Sequence, residues 1–129
     1  MRGLKQRGVP IHGVGLESHF DLNPPPLHDI AANMARLNAL GLESAITEVD
    51  VRVRVPPSAF DLERQRVIYN GLLATCLAAA NCKTFASWGF TDKTSWVPSA
   101  YPGYGAALPF DAQYAAKPAY YGMRAALGG

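Results

Sequence analysis

Three times along this chain a short apolar segment is followed by a longer stretch whose apolar residues recur every three or four positions. No other feature of the sequence constrains the fold as strongly. Residues 9–16 (V-P-I-H-G-V-G-L) are bounded by glycines and suit a strand buried on both faces. They run through Glu17, Ser18, His19 and Phe20 to the prolines at 24–26, after which Leu27, Ile30, Met34, Leu37 and Leu40 mark an amphipathic helix ended by Gly41. Residues 43–50 form a second strand segment, extended by the alternation Val51, Val53, Val55 and stopped by Pro56 and Pro57. Ser58, with Asp61 three residues on, caps the next helix, whose apolar face reads Leu62, Val67, Ile68, Leu72, Leu73, Cys76 and Leu77 as far as about Ala80. Residues 83–89 are the third strand segment. A loop rich in Gly, Pro, Tyr and Trp follows to about Pro109, and Pro118 opens a last helix that reaches Leu127.

Strands alternating with helices predict parallel pairing through helical crossovers, an α/β fold. Three parallel strands make a poor domain alone, whereas a barrel of eight βα units takes about 250 residues. Three such units preceded by a helix end account for most of the 129 residues. Residues 1–8 read as the last turns of a helix closed by Gly8, which suits the left-handed closing position. The expectation is a partial (β/α)8 barrel, cut from something longer. A doubly wound sheet is the alternative, but no G-x-G-x-x-G opens a helix and His12-Gly-Val-Gly15 is a weak glycine pair.

Composition narrows the partners. With 49% hydrophobic residues and a formal charge of +2 the chain is not disordered, and it carries no basic stripe for nucleic acid. The weakly polar stretch 72–80 is about half of what a bilayer span needs, so no membrane partner is expected. A secretory leader would place an apolar run after a basic start, and residues 1–8 are polar.

In parallel α/β folds the chemistry gathers where strands end and loops begin. Here those ends carry Glu17 and His19, then Glu48 and Asp50, then Trp88. Glu48 and Asp50 are two apart, so a regular strand points both the same way and Val49 the other. Two carboxylates held together repel, which suits one to nucleophilic or base duty; two solvated acids at an exposed edge is the plainer alternative. His19 either orients a carboxylate, donates to a substrate hydroxyl, or is a satisfied polar residue near the core. His12 sits near the start of its strand, on the face away from catalysis, and His28 has no partner in sequence. Neither H-E-x-x-H nor a paired-cysteine spacing is present, so no metal and no cofactor is expected. Trp88, Phe90, Trp96, Tyr101 and Tyr104 concentrate aromatic rings in one region. Such rings suit the apolar faces of sugars, and paired carboxylates beside them point to glycoside chemistry.

Five segments, in this order, carry a family resemblance: G-V-P-I-H-G-V-G-L-E-S-H at 8–19, I-T-E-V-D at 46–50, the pair Cys76 and Cys82, W-G-F-T-D-K-T-S-W at 88–96, and F-D-A-Q-Y-A-A-K-P-A-Y at 110–120. The chain resembles the C-terminal part of the catalytic domain of glycoside hydrolase family 10, the endo-1,4-β-xylanases. The resemblance covers nearly all of residues 1–129 and implies the last three βα units of the barrel, strands 6 to 8, with the end of helix 5. It implies a retaining enzyme acting on xylan or xylo-oligosaccharides, with Glu48 as nucleophile and with Asp50 and His19 holding it. Trp88 and Trp96 then line the sugar subsite at the cleavage point. Glu17 stands where many members have Gln, keeping a hydroxyl acceptor and adding a negative charge, and His12 stands where Asp is common.

A retaining glycosidase needs two carboxyl groups about 5 to 5.5 Å apart. In the family the acid/base Glu comes from a W-x-x-x-N-E motif earlier in the barrel, and these residues hold no such motif. The chain is thus expected to carry the nucleophile half of a mechanism. The alternative is an inert remnant that contacts carbohydrate or self-associates through open strand edges. On the residues alone Cys76 and Cys82 read equally as buried thiols. The resemblance implies a disulfide, contributing about 2 kcal/mol, and a secreted protein.

Overall fold

A computed structural model describes residues 1–129. Three strands, β1 (Gly13–Phe20), β2 (Glu43–Val51) and β4 (Cys82–Ser87), form a parallel sheet in the order β1-β2-β4. Helix α2 (Leu27–Asn38) connects the first pair and α3 (Ala59–Ala78) the second, as expected for consecutive βα units. The sheet is open, so β1 and β4 are its edges. Helix α1 (Arg2–Gln6) precedes it and α5 (Pro118–Ala126) closes the chain. At the end of α1, Gly8 adopts φ 71° while its amide donates to Lys5 O and that of Val9 to Leu4 O. This is the closing geometry expected of Gly8.

Beyond β4 the loop is more ordered than its composition suggests. It holds a 3-10 turn at Asp92–Thr94, a short helix α4 (Val97–Ala100) and a two-residue strand β5 (Tyr104–Gly105) antiparallel to β3 (Val53–Arg54). Of the alternation Val51, Val53, Val55, the first thus ends β2, the second lies in β3, which leaves the parallel sheet to hold the loop, and Val55 falls just beyond it.

The core lies where the helices meet the sheet. Met34, Ile46, Val49, Val51, Tyr69, Leu72, Cys76 and Ala119 form one buried cluster drawn from α2, β2, α3 and α5. Along the first half of β2, Ser44 and Ile46 are buried while Ala45 and Thr47 are half-buried, the alternation a strand requires. Helices α3 and α5 approach closely at Gly122, where a Cβ would lie 2.6 Å from the Arg66 carbonyl oxygen. Asn70 Nδ2 donates to the Gly122 carbonyl at 2.9 Å, locking the crossing.

Three expectations need correction. The first strand begins at Gly13 rather than residue 9 and includes Glu17 to Phe20; as an edge, with only Ser18 buried, it is not covered on both faces. The buried stripe of α3 is Gln65, Tyr69, Leu72, Leu73 and Cys76, whereas Val67 and Leu77 are exposed. Polar residues hold that stripe because loop carbonyls meet them there. Gln65 Nε2 donates to Val51 O and Ala106 O at 2.7 Å each, and the Tyr69 hydroxyl donates to Ala107 O at 2.8 Å. Regular two-residue alternation also fails near Glu48, as described next. The capping box of Ser58 and Asp61 is formed as expected, and Cys76 and Cys82 are joined as a disulfide.

Candidate active site

Parallel register alone would place Val49 beside His19, since Leu16 pairs with Ile46 and Glu17 with Thr47. Instead His19 pairs with Asp50, so β2 carries one residue more than β1 between these levels. Glu48 sits at this bulge with φ 60°, a left-handed conformation that costs a non-glycine residue on the order of 1–3 kcal/mol. The two carboxylates do share one side, yet they do so through the bulge, and Val49, Asp50 and Val51 are all buried in succession.

His19 stands between the two acids. Nδ1 lies 2.8 Å from Asp50 Oδ2 and Nε2 lies 3.1 Å from Glu48 Oε2. Asp50 is 1% exposed, which excludes the solvated-edge alternative for it. Its Oδ2 also accepts from Trp96 Nε1–H at 2.7 Å, so Nδ1 is the donor towards Asp50. Burial works against charge on the imidazole, but the hydrogen bonds and negative charges of Asp50 and Glu48 outweigh it and leave the pKa raised. The imidazolium can then donate from both nitrogens. Of the three alternatives for this residue, orientation of a carboxylate is the one the distances describe.

The aromatic rings frame this histidine. Trp96 and Trp88 lie with ring centroids 5.0 and 6.2 Å from His19, both edge-on. The Trp88 amide donates to Val49 O at 3.0 Å, which sets its half-exposed ring beside the bulge. Tyr101 packs edge-on against Trp96 and beneath the Arg52 guanidinium, which is 4.3 Å from the ring centroid. Tyr104 meets Arg54 instead, and Phe90 stacks with Tyr114, so the aromatic region divides into separate groups.

What holds the loop in place is a lysine that sequence reasoning missed. Lys117 Nζ donates to Asp92 Oδ2 at 2.8 Å, Ala106 O at 2.6 Å and Leu108 O at 2.7 Å, while Asp92 Oδ1 accepts from the Leu108 amide. Burial lowers the Lys117 pKa, partly offset by Asp92. The clip fixes residues 106–108, of which Ala106 and Ala107 also offer their carbonyls to Gln65 and Tyr69, and so joins the Trp96 loop to the end of β2. Charged and polar residues on a helix start read as surface in sequence, and nothing in their spacing marks them otherwise.

Glu17 is exposed, and its carboxylate lies with His19 and Glu48 in a group whose ligand-type atoms are all within 4.8 Å of one another. These are the residues able to hold a cation, and they span two strands, outside any metal motif in sequence. His12 precedes β1 and is exposed, remote from this group in the strand direction. His28 pairs with neighbouring Asp29 at 3.1 Å on the surface. The largest groove, about 550 Å³ between α2 and α3, is lined by residues such as Leu27, Ala35, Ala74 and Thr75 and holds no ionisable side chain. The clustered titratable side chains lie at the strand ends instead.

Comparison with known proteins fits this arrangement. The model of glycosyl hydrolase family 10 matches residues 1–126. An endo-1,4-beta-xylanase of Agaricus bisporus is 39% identical over 95% of this chain and 37% of its own length. Endo-1,4-beta-xylanase D of Talaromyces funiculosus is 41% identical over 96% of this chain and 31% of its own length. Among solved structures, a xylanase of Thermotoga petrophila in complex with xylobiose superposes with a TM-score of 0.94 at 39% identity, over 98% of this chain and 39% of that one. The chain thus spans about a third of the curated relatives it matches. An open parallel sheet with three βα units is the corresponding part of their barrel, and the match over almost every residue settles the affiliation: the chain belongs to glycosyl hydrolase family 10.

Proposed function

We propose that residues 1–129 are the C-terminal part of a retaining endo-1,4-β-xylanase domain and supply its nucleophile. The observation that carries this reading is the chain Trp96 to Asp50 to His19 to Glu48, assembled at the ends of two adjacent parallel strands. Glu48 is the carboxylate that attacks the anomeric carbon of a β-1,4-xylan unit. Its C–O bond to the sugar forms as the bond to the leaving oxygen breaks, and water later hydrolyses the ester with overall retention. Asp50 neutralises and orients the imidazole, and His19 holds Glu48 in its bulged position. Trp88 and Trp96 offer their faces to the xylose ring, and Glu17 accepts from its hydroxyls. The proton for the leaving oxygen comes from a carboxyl group outside these residues. Relatives named as xylanases, one bound to xylobiose, support xylan as the substrate class, and secretion is proposed with it.

A second reading is favoured by the unpaired edges of β1 and β4. On this reading the 129 residues by themselves turn over no xylan and act as a carbohydrate-contacting or self-associating piece. Xylan turnover by the purified chain at a rate comparable with that of the relatives would overturn this reading.

Azide rescue tests the role of Glu48. In a Glu48→Ala variant of the complete barrel, an aryl xylobioside with a good leaving group should be cleaved only when azide is added, and the product should be the α-glycosyl azide. Unchanged hydrolysis without azide would remove Glu48 from the mechanism.

A further inference from the structure

We propose that Glu17, His19 and Glu48 form a binding site for a divalent transition-metal cation of Zn²⁺ type. Each offers one ligand atom, and the three atoms lie within 4.8 Å of one another. His19 Nε2 and Glu48 Oε2 are 3.1 Å apart, close to the mutual spacing of two ligands on one ion whose bonds to nitrogen and oxygen run about 2.0 to 2.2 Å, and the exposed Glu17 carboxylate lies within 4.8 Å of both. An imidazole with two carboxylates, the remaining positions taken by water, is a donor set that zinc accepts.

What separates this group from an ordinary surface cluster lies behind the imidazole. A metal-binding histidine donates its other ring N–H to a carboxylate, a backbone carbonyl or water, which fixes the tautomer and raises the basicity of the ligating atom. Asp50 occupies that place, 2.8 Å from His19 Nδ1, so Nε2 is the nitrogen turned towards Glu48. Asp50 is fully buried, and its Oδ1 has no hydrogen-bond donor. The imidazole is therefore backed at Nδ1 by a buried carboxylate, which raises the basicity of Nε2 towards a cation. The ion takes the place of the proton shared between His19 and Glu48, and that proton leaves to solvent.

Glu17 decides whether the site exists. A Gln at this position keeps the shape and supplies one neutral oxygen, but leaves a single carboxylate to neutralise the ion. One consequence rests on the proposed function: a cation held by Glu48 withholds the attacking lone pair, so Zn²⁺ inhibits by competition with the sugar. The binding itself does not depend on that reading, and it is measured without sugar.

The test uses the full chain stripped with a chelator and titrated with Zn²⁺ by calorimetry and with Co²⁺ by visible absorption and NMR. The expected result is one saturable equivalent, with the His19 ring resonances broadened by Co²⁺. Glu17→Gln should weaken binding by at least about tenfold, a loss of the size seen when metal-site partners are removed. His28→Asn, which breaks the exposed His28 and Asp29 pair, should leave binding unchanged. The proposal is overturned if the parent chain shows no saturable binding, if Glu17→Gln binds as tightly as the parent, or if only His28→Asn abolishes binding. None of these outcomes bears on whether Glu48 attacks a sugar.

Discussion

Trp96 Nε1 donates to Asp50 Oδ2 at 2.7 Å, the same oxygen that meets His19 Nδ1 at 2.8 Å. One buried carboxylate oxygen thereby joins the loop after β4 to the ends of β1 and β2. The indole has two roles in one position: it packs on His19 in an edge-to-face arrangement, and its N–H donates to a charge removed from water.

Replacing Trp96 with Phe keeps an aromatic ring and deletes the donor. Asp50 is left with the imidazole alone, and a hydrogen bond to a buried charge is worth about 1.5–3 kcal/mol. Urea unfolding should show a stability loss of that size. A loss below about 0.5 kcal/mol would show that the indole does not hold Asp50 in solution.

His19 should titrate above the 6.5 of a free imidazole, because the carboxylates of Asp50 and Glu48 outweigh the opposing effect of burial. A raised folded-state pKa gives stability that is fully present below the unfolded value and is lost as pH rises through the folded value. In the presence of chelator, NMR titration of the ring protons measures the pKa. Denaturant midpoints should fall across the window that begins near the unfolded value. A pKa below 6.5, or stability that climbs across this window, would contradict the ion-pair geometry.

Lys117 and Asp92 form a pair with side chains only 9% and 12% exposed. Lys117→Met removes one partner of a nearly buried pair and leaves Asp92 uncompensated, which should cost roughly 3–5 kcal/mol. Adding Asp92→Asn should recover part of that loss. A single-variant loss under about 1 kcal/mol would mean that Lys117 does not clip the loop.

The disulfide between Cys76 and Cys82 closes a short loop at the α3 to β4 turn, with a sequence separation of six. Replacing both residues with Ala should lower stability by about 2 kcal/mol, chiefly by releasing the unfolded chain. Thermal unfolding in oxidised and reduced conditions provides the comparison. A parent protein indifferent to reductant would contradict this.

The fold was legible because its signal is periodic: apolar spacing marked α2, Ser58 and Asp61 announced α3, and prolines set off the strands. The edge character of β1 was not legible, since burial depends on neighbours that the local pattern does not describe. Glu48 and Asp50 lie near the end of β2, as their place in the sequence predicts, but the bulge that brings them to His19 breaks the two-residue period on which their pairing is argued. Gln65, Tyr69 and Lys117 escaped notice because a polar side chain that binds distant carbonyls has the same local signature as one in water. The partnership of Trp96 with Asp50 joins residues 46 apart, which spacing cannot disclose.

The central claim is that Glu48 is a nucleophile held by His19, and covalent trapping tests it most directly. A 2-deoxy-2-fluoro-β-xylobioside carrying a dinitrophenolate leaving group needs no proton donor to depart, so the nucleophile is read independently of the general acid. Incubated with the complete barrel, the reagent should add one fluoroglycosyl mass, and peptide mapping should place it on Glu48, with none added to Glu48→Gln. Label on Glu17 or another carboxylate, or an unlabelled Glu48, would contradict the account.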